Sequence, residues 1–248
     1  MSAPLRVVAY NFLSGGSSAR AGHWSRLHAR LAPDVVLAQE CRAPQDSHGE
    51  RFRVGPGDTL LWTPAADRRW GSAVLVRGLP ARRLTIRGFG GWVMGAEVAG
   101  RGSGGRPLQL FSIHCPVGER GYVRTLHEIL DRIAKRRGDA DLILGGDFNV
   151  VVGQRLPRET IRMSRGEREI LGRLESEFDL VSCWQAANPG RPLAQTLRWS
   201  ANREAPYHCD GIFVPSTWAS RLVGCRVVRG SRWAGLSDHN PVLAEFSG

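Results

Sequence analysis

The sequence predicts one domain of mixed α and β structure, in which strand hairpins sit beside crossover helices. Three observations carry this. Valine-rich runs at 5–10 (LRVVAY) and 34–39 (DVVLAQ) have the length of buried strands, and the apolar residues between them recur at helical spacing. One later stretch, 120–136, shows an apolar stripe with the period of a helix that packs on a sheet. A glycine-rich turn, GRGSGGR, separates two further apolar runs as the tip of a long hairpin. At 248 residues the chain is the size of one domain, and no repeat, low-complexity tract or linker divides residues 1–248.

Taken in order, the strand at 5–10 leads to Trp24, Leu27 and Leu31, one face of a helix that Pro33 stops. The strand 34–39 follows, then a polar loop over 42–58 that carries proline and glycine. Strands are expected at 72–77 (SAVLVR), 92–98 (WVMGAEV) and 107–114 (PLQLFSIH), the last two forming the hairpin. Tyr122, Leu126, Ile129, Leu130 and Ile133 give a helix over 120–136 its apolar stripe. A strand at 141–145 opens DLILGGDFNVVVG, and a helix over 164–176 starts at Ser164 with Glu167 completing a capping box. Strands at 208–214, 222–228 and 241–246 close the chain.

Composition narrows the function. With 42% hydrophobic and 23% charged residues, a packed core is expected and global disorder is not. No apolar run approaches the roughly 18 residues of a membrane span, so no membrane insertion is expected. The start, MSAPLRVVAYNF, shows no charged and then hydrophobic leader. The five cysteines (Cys41, Cys115, Cys183, Cys209, Cys225) are odd in number, far apart and without a CxxC pair. That argues against a disulfide framework or a zinc ribbon and for a reducing cytoplasm. The net charge of +11 favours polyanionic partners, nucleic acid first. Yet 33 of the 34 basic residues are arginine, Lys135 being the one lysine, and that bias equally fits a GC-rich bacterial genome.

The chemistry-bearing residues fall at strand ends, where a scaffold fixes the backbone and side chains meet solvent. Asn11 ends the first strand, Glu40 the second and His114 the strand LFSIH; Asp147 and Asn149 end DLILGGDFN. His208 and Asp210 open HCDGIFV, and Asp238 and His239 precede the last strand in LSDHNPVL. Each alone is more often a turn or a solvated strand end. Together, in the order YN, QE, SIH, GDFN, HCD and SDH, they resemble the motif series of the endonuclease/exonuclease/phosphatase superfamily, which includes pancreatic-type deoxyribonucleases and apurinic endonucleases. The resemblance runs from Asn11 to His239, and GDFN with a distal SDH is its specific part.

The resemblance implies a four-layer sandwich, two packed mixed sheets flanked by helices, and metal-dependent hydrolysis of phosphoesters. It implies that Asp147 activates or orients the attacking water, and that Asn149 and His114 contact phosphate. His239 donates to a phosphate oxygen, fixed in its tautomer by Asp210. Glu40, Asp238 and the Asn11 amide, hard oxygen donors, suit Mg²⁺ or Mn²⁺. His208, Arg120 and Arg124 are taken as substrate contacts, and Trp70 and Trp92 as core residues able to stack on bases. Glycines 145 and 146 are read as room for phosphate and metal, and Asp147 and Asn149 as sharing one face of a pleat with Phe148 on the other. The sequence departs from the family at Leu13, where many members carry a polar residue, and at Gly211, where many carry tyrosine. A monomeric nuclease on DNA or RNA is the leading expectation. A phosphatase or phosphodiesterase on a small organic phosphate or lipid headgroup, and a silent nucleic-acid-binding module, are the alternatives. Substrate preference is expected to rest on the loops 42–58 and 153–163.

Overall fold

Valine-rich runs pair into sheets because each is apolar on both sides and must be covered on both. In the computed structural model, which describes residues 4–16, 22–47, 49–157, 159, 162–200, 202, 205 and 207–248, the first half runs β1 (Leu5–Asn11), α1 (His23–Leu31), β2 (Val35–Cys41), β3 (Thr59–Pro64), β4 (Gly71–Val76), β5 (Arg82–Thr85), β6 (Val93–Val98) and β7 (Leu108–His114). The second half runs α2 (Gly121–Arg137), β8 (Asp141–Asp147), α3 (Arg165–Ser176), β9 (Leu180–Ser182), α4 (Cys183–Ala187), β10 (Asp210–Pro215), β11 (Leu222–Val227), α5 (Ser231–Ala234) and β12 (Val242–Phe246).

The strands make two six-stranded mixed sheets, ordered β11-β12-β1-β2-β4-β3 and β5-β6-β7-β8-β10-β9. The alternation of side chains along each strand builds the layers. From β1, Val7 and Ala9 join Leu37, Ile143 and Ile212 between the sheets, while Val8 and Tyr10 pack outward with Trp24 and Leu27 of α1. From β8, Leu142 and Leu144 pack outward with Ile129 and Ile133 of α2 and Ile170 of α3. Helix, sheet, sheet, helix is the four-layer sandwich expected from the sequence.

Most elements lie where the sequence placed them, and α3 begins with the capping box: Ser164 accepts from the Glu167 backbone, and the Glu167 carboxylate from that of Ser164. Three strands were not foreseen, and β3, β5 and β9 are all sheet edges. Edge strands are short and half-exposed, so they lack the apolar run or the period of two that marks a strand; three of the four residues of β5 are exposed. The helix α4 was also missed. Tyr122 is not part of the buried stripe of α2 but is exposed beside it. The loop 42–58 is irregular apart from one turn at Pro44–Asp46; His48 in it, and 158, 160 and 161 in the loop 153–163, lie outside the described residues.

Candidate active site

Register assembles the site. In the second sheet β7 runs parallel to β8 with His114 opposite Asp147, and β10 runs antiparallel with Asp210 opposite the same Asp147. Directly opposed residues share a face, so three adjacent strand ends present His114, Asp147 and Asp210 side by side. In the first sheet Asn11 ends β1 opposite Gln39, and Glu40 follows. The two ends are tied together below: Gln39 donates to the Ser112 hydroxyl at 2.9 Å, which donates to the Ala38 carbonyl at 2.8 Å.

Asn11 bridges the two sheets. Its Nδ2 donates to Glu40 Oε1 at 3.1 Å and to Asp147 Oδ2 at 3.0 Å. The other Glu40 oxygen accepts from the backbone of Ser14 at 2.6 Å. Glu40 holds a left-handed backbone, φ 46°, at an irregularity in the β2–β4 pairing; such conformations persist where surrounding structure fixes them, often at functional sites. His114 Nε2 lies 3.5 Å from Glu40 Oε1 and 3.9 Å from Asp147 Oδ2. Trp70 and Trp92 wedge its ring, at centroid distances of 5.7 and 5.2 Å. Both indoles are half-buried, and Trp92 also packs against the core, as expected.

His239 is buried, with Nδ1 at 2.9 and 3.0 Å from the Asp210 oxygens and Nε2 at 3.7 Å from Asp147 Oδ2. Burial opposes its protonation, but the charges of Asp210 and Asp147 outweigh burial and push its pKa up to about 10. Residues the sequence reading missed hold this pair. The buried Thr196 hydroxyl accepts from the backbones of Cys209 and Asp210, each at 3.1 Å. Ser237 donates to the Asn11 carbonyl at 2.8 Å and accepts from the His239 backbone at 3.0 Å. Arg198 donates to the Ser237 carbonyl and the Asn240 side chain, clasping the turn that carries Asp238 and His239. A polar residue in a segment without periodicity gives no sequence signal for any of this.

Other expected residues stand differently. Asn149 does not share a pleat with Asp147, because β8 ends at Asp147 and Asn149 turns left-handed, φ 55°. Its backbone donates to Asp147 Oδ1 at 3.0 Å and its Nδ2 to the Cys115 carbonyl at 3.0 Å, leaving one amide hydrogen toward the site. Phe148 is buried, as expected. The two glycines answer to packing rather than to ligand: a Cβ on Gly146, φ 142°, would stand 2.1 Å from the Ile113 carbonyl, and one on Gly145 would stand 2.7 Å from Leu37 Cδ1. His208 is fully buried, donates from Nδ1 to the Ala194 carbonyl at 2.6 Å and packs on Trp184, and burial lowers its pKa, so it does not face the site. Arg120 is exposed just before α2, and Arg124 pairs with Glu128 on the solvent side; neither bonds the cluster.

Among the described residues, the ligand atoms of Asp147, Cys209, Asp210 and His239 lie within 4.8 Å of one another. Burial, then the charges of Asp210 and Asp147, hold the Cys209 thiol well above its usual pKa. The Glu40 and Asp147 carboxylates are joined through Asn11 Nδ2, whose own oxygen accepts from the Leu13 backbone at 2.9 Å, and Asp238 adds a carboxylate whose buried Oδ1 lies 3.9 Å from His239 Nε2 and has no hydrogen-bond partner among the described residues. A buried carboxylate oxygen without a hydrogen bond is what a hard divalent cation would satisfy.

A model of the Endonuclease/Exonuclease/phosphatase family matches residues 8–239. Among curated proteins, the Transposon TX1 uncharacterized 149 kDa protein of Xenopus laevis is 26% identical over 143 residues, 58% of this chain and 11% of that protein. Solved structures share the fold. The endonuclease domain of TRAS1, a telomere-specific non-LTR retrotransposon, matches with a TM-score of 0.68 at 16% identity over 99% of each chain. A Neisseria 3' phosphatase bound to product DNA hairpin matches at 0.71 and 17% identity, over 98% of this chain and 100% of that one. An AP endonuclease from Archaeoglobus fulgidus matches at the same score, identity and coverage.

Proposed function

The chain belongs to the Endonuclease/Exonuclease/phosphatase family and is a hydrolase of phosphoester bonds, and from that premise we propose that it is a Mg²⁺- or Mn²⁺-dependent nuclease cutting DNA or RNA. The observation that carries the mechanism is the placement of His239 between two carboxylates: Nδ1 on Asp210 at 2.9 Å, Nε2 toward Asp147 at 3.7 Å. One point in space is thus served by an acceptor for a water proton and by an imidazolium donor.

Asp147, its two oxygens already fixed by Asn11 and the Asn149 backbone, orients a water for in-line attack on phosphorus. His239 donates from Nε2 to a phosphate oxygen and so stabilises the negative charge that develops there. Asp210 keeps the imidazole in the tautomer with its proton on Nδ1 and favours the cation. Asn149 and His114 supply further donors at the rim. Glu40 and Asp238 are the carboxylates that would hold a divalent cation, which would neutralise charge on the phosphate and on the leaving oxygen; Asn11, whose oxygen accepts from the Leu13 backbone at 2.9 Å, steadies Glu40 through its Nδ2 instead. All five cysteines are free and buried, which supports a cytoplasmic setting, and we take the working form to be a monomer. Among the described residues no helix is long and apolar enough to cross a membrane.

The names of the structural neighbours support nucleic acid as the substrate class. The test incubates the purified chain with Mg²⁺ or Mn²⁺ against plasmid, single-stranded DNA, RNA, an abasic duplex and aryl phosphate mono- and diesters, with Asp147→Asn and a chelator in parallel. Cleavage of a nucleic acid, lost with chelator and in Asp147→Asn, is expected. Turnover confined to the aryl esters overturns the nuclease reading.

A further inference from the structure

Six of the arginines line one pair of clefts. Two adjoining clefts, of about 820 and 340 Å³, run between α1, the end of β11 and α5, and they share Arg26, Arg30 and Arg232. Arg51 completes one, Arg226 and Arg229 the other. None of these six has an ion pair among the described residues. Some arginines elsewhere are matched: Arg6 with Glu245, Arg82 with Glu97, Arg106 with Asp141, Arg155 with Glu159 and Arg173 with Asp131. Here six unmatched guanidinium groups line shared cleft space, which concentrates positive charge at one place.

The single carboxylate in these clefts does not neutralise them. Glu50 is buried and spent on the start of α1, accepting from the backbones of Trp24 and Ser25 at 3.0 Å each and of Phe52 at 2.9 Å. Arg26 and Arg30 stand one helical turn apart, a like-charge spacing that destabilises a helix and that a bound anion would relieve. A third cleft, lined by Leu13, Arg198 and residues 234–238, holds Asp238 at one side and Ala234, which belongs to the same short helix as Arg232, at the other.

We propose that this face of α1, β11 and α5 is a docking surface for the phosphodiester backbone of a nucleic acid, remote from the bond that is cut. The proposal rests on the nucleic-acid reading above and adds to it where the polymer is held. Arginine suits the role, because its planar fork matches phosphate oxygens.

The test measures binding without turnover. Wild type and Arg30→Ala/Arg226→Ala/Arg232→Ala, all three exposed and outside the catalytic group, are titrated in EDTA against labelled 30-residue duplex DNA, single-stranded DNA and RNA from 50 to 200 mM KCl. The triple variant is expected to bind at least one of them about tenfold more weakly, with a log affinity against log salt slope shallower by about 0.9 per duplex phosphate contact removed. Its melting temperature and its hydrolysis of a dinucleotide-length ester are expected to be unchanged. If the triple variant melts early, the single charge reversal Arg232→Glu provides the comparison. Equal affinity and slope in both proteins overturn the surface, even if the enzyme cuts DNA. Retention of wild type by polyglutamate without binding to any of the three polymers overturns it in favour of an acidic protein. Loss of binding in the variant supports the surface even if no nuclease activity is found, so the two readings fail separately.

Discussion

His239 presents Nδ1 to both oxygens of Asp210, at 2.9 and 3.0 Å, with each residue buried. The ring has one orientation and one tautomer compatible with that contact, and its Nε2 is turned toward Asp147, 3.7 Å from Oδ2.

Asp210→Asn keeps the shape of this contact and removes the charge that favours imidazolium. The expected result is a fall in kcat of about 10²–10⁴, the usual range for losing a positioned proton donor, with KM little changed. The alkaline limb of the pH–rate profile should move to lower pH. A pH series on the variant checks both, and an unchanged profile would remove His239 from its assigned role.

The same pair makes stability depend on pH in the chelated protein. The folded imidazole, pushed up to about 10, keeps a proton that the unfolded chain releases near 6.5. A raised cationic group stabilises fully below the unfolded value and loses its contribution as pH rises through the folded one. The melting temperature in EDTA should therefore decline from pH 6.5 to 10, and His239→Gln should flatten that decline.

Gly146→Ala should cost about 3 kcal/mol, because the added Cβ meets the Ile113 carbonyl at 2.1 Å from a backbone at φ 142°. Gly145→Ala should cost less, since its nearest obstacle is the flexible end of Leu37 at 2.7 Å. Urea denaturation of the two variants checks the order. A smaller loss at Gly146 would mean that β7 and β8 separate easily beside the site.

Asn11, Glu40, Asp147, Asp210 and His239 were legible in the sequence because each is a reactive side chain at the end of a predicted strand. Register then brought them together, as the opposition of Asp147 to both His114 and Asp210 shows. What escaped was of two kinds. Edge strands such as β5 gave no period to read, and backbone geometry at Asn149 broke the assumed alternation because the strand ends two residues before it. His208 shows the converse error: a histidine inside a motif, yet turned away into the core. Supporting residues such as Thr196 carry no reactive group and act only through partners distant in sequence.

Thr196 gives the sharpest test of that supporting layer. Its hydroxyl is the acceptor for two buried backbone donors, those of Cys209 and Asp210, at 3.1 Å each. Thr196→Val keeps the volume and strands both donors, which should cost about 2 kcal/mol or more in urea denaturation. Asp210 begins β10 at this point, so its carboxylate loses its fixed place under His239. Activity should fall through kcat, and the pH–rate profile should shift in the same direction as in Asp210→Asn but by less. Thr196→Ser restores the acceptor and should recover both stability and profile. A stability loss in Thr196→Val with an unshifted pH profile would assign Thr196 to the fold alone, leaving Asp210 positioned by its strand register with Asp147.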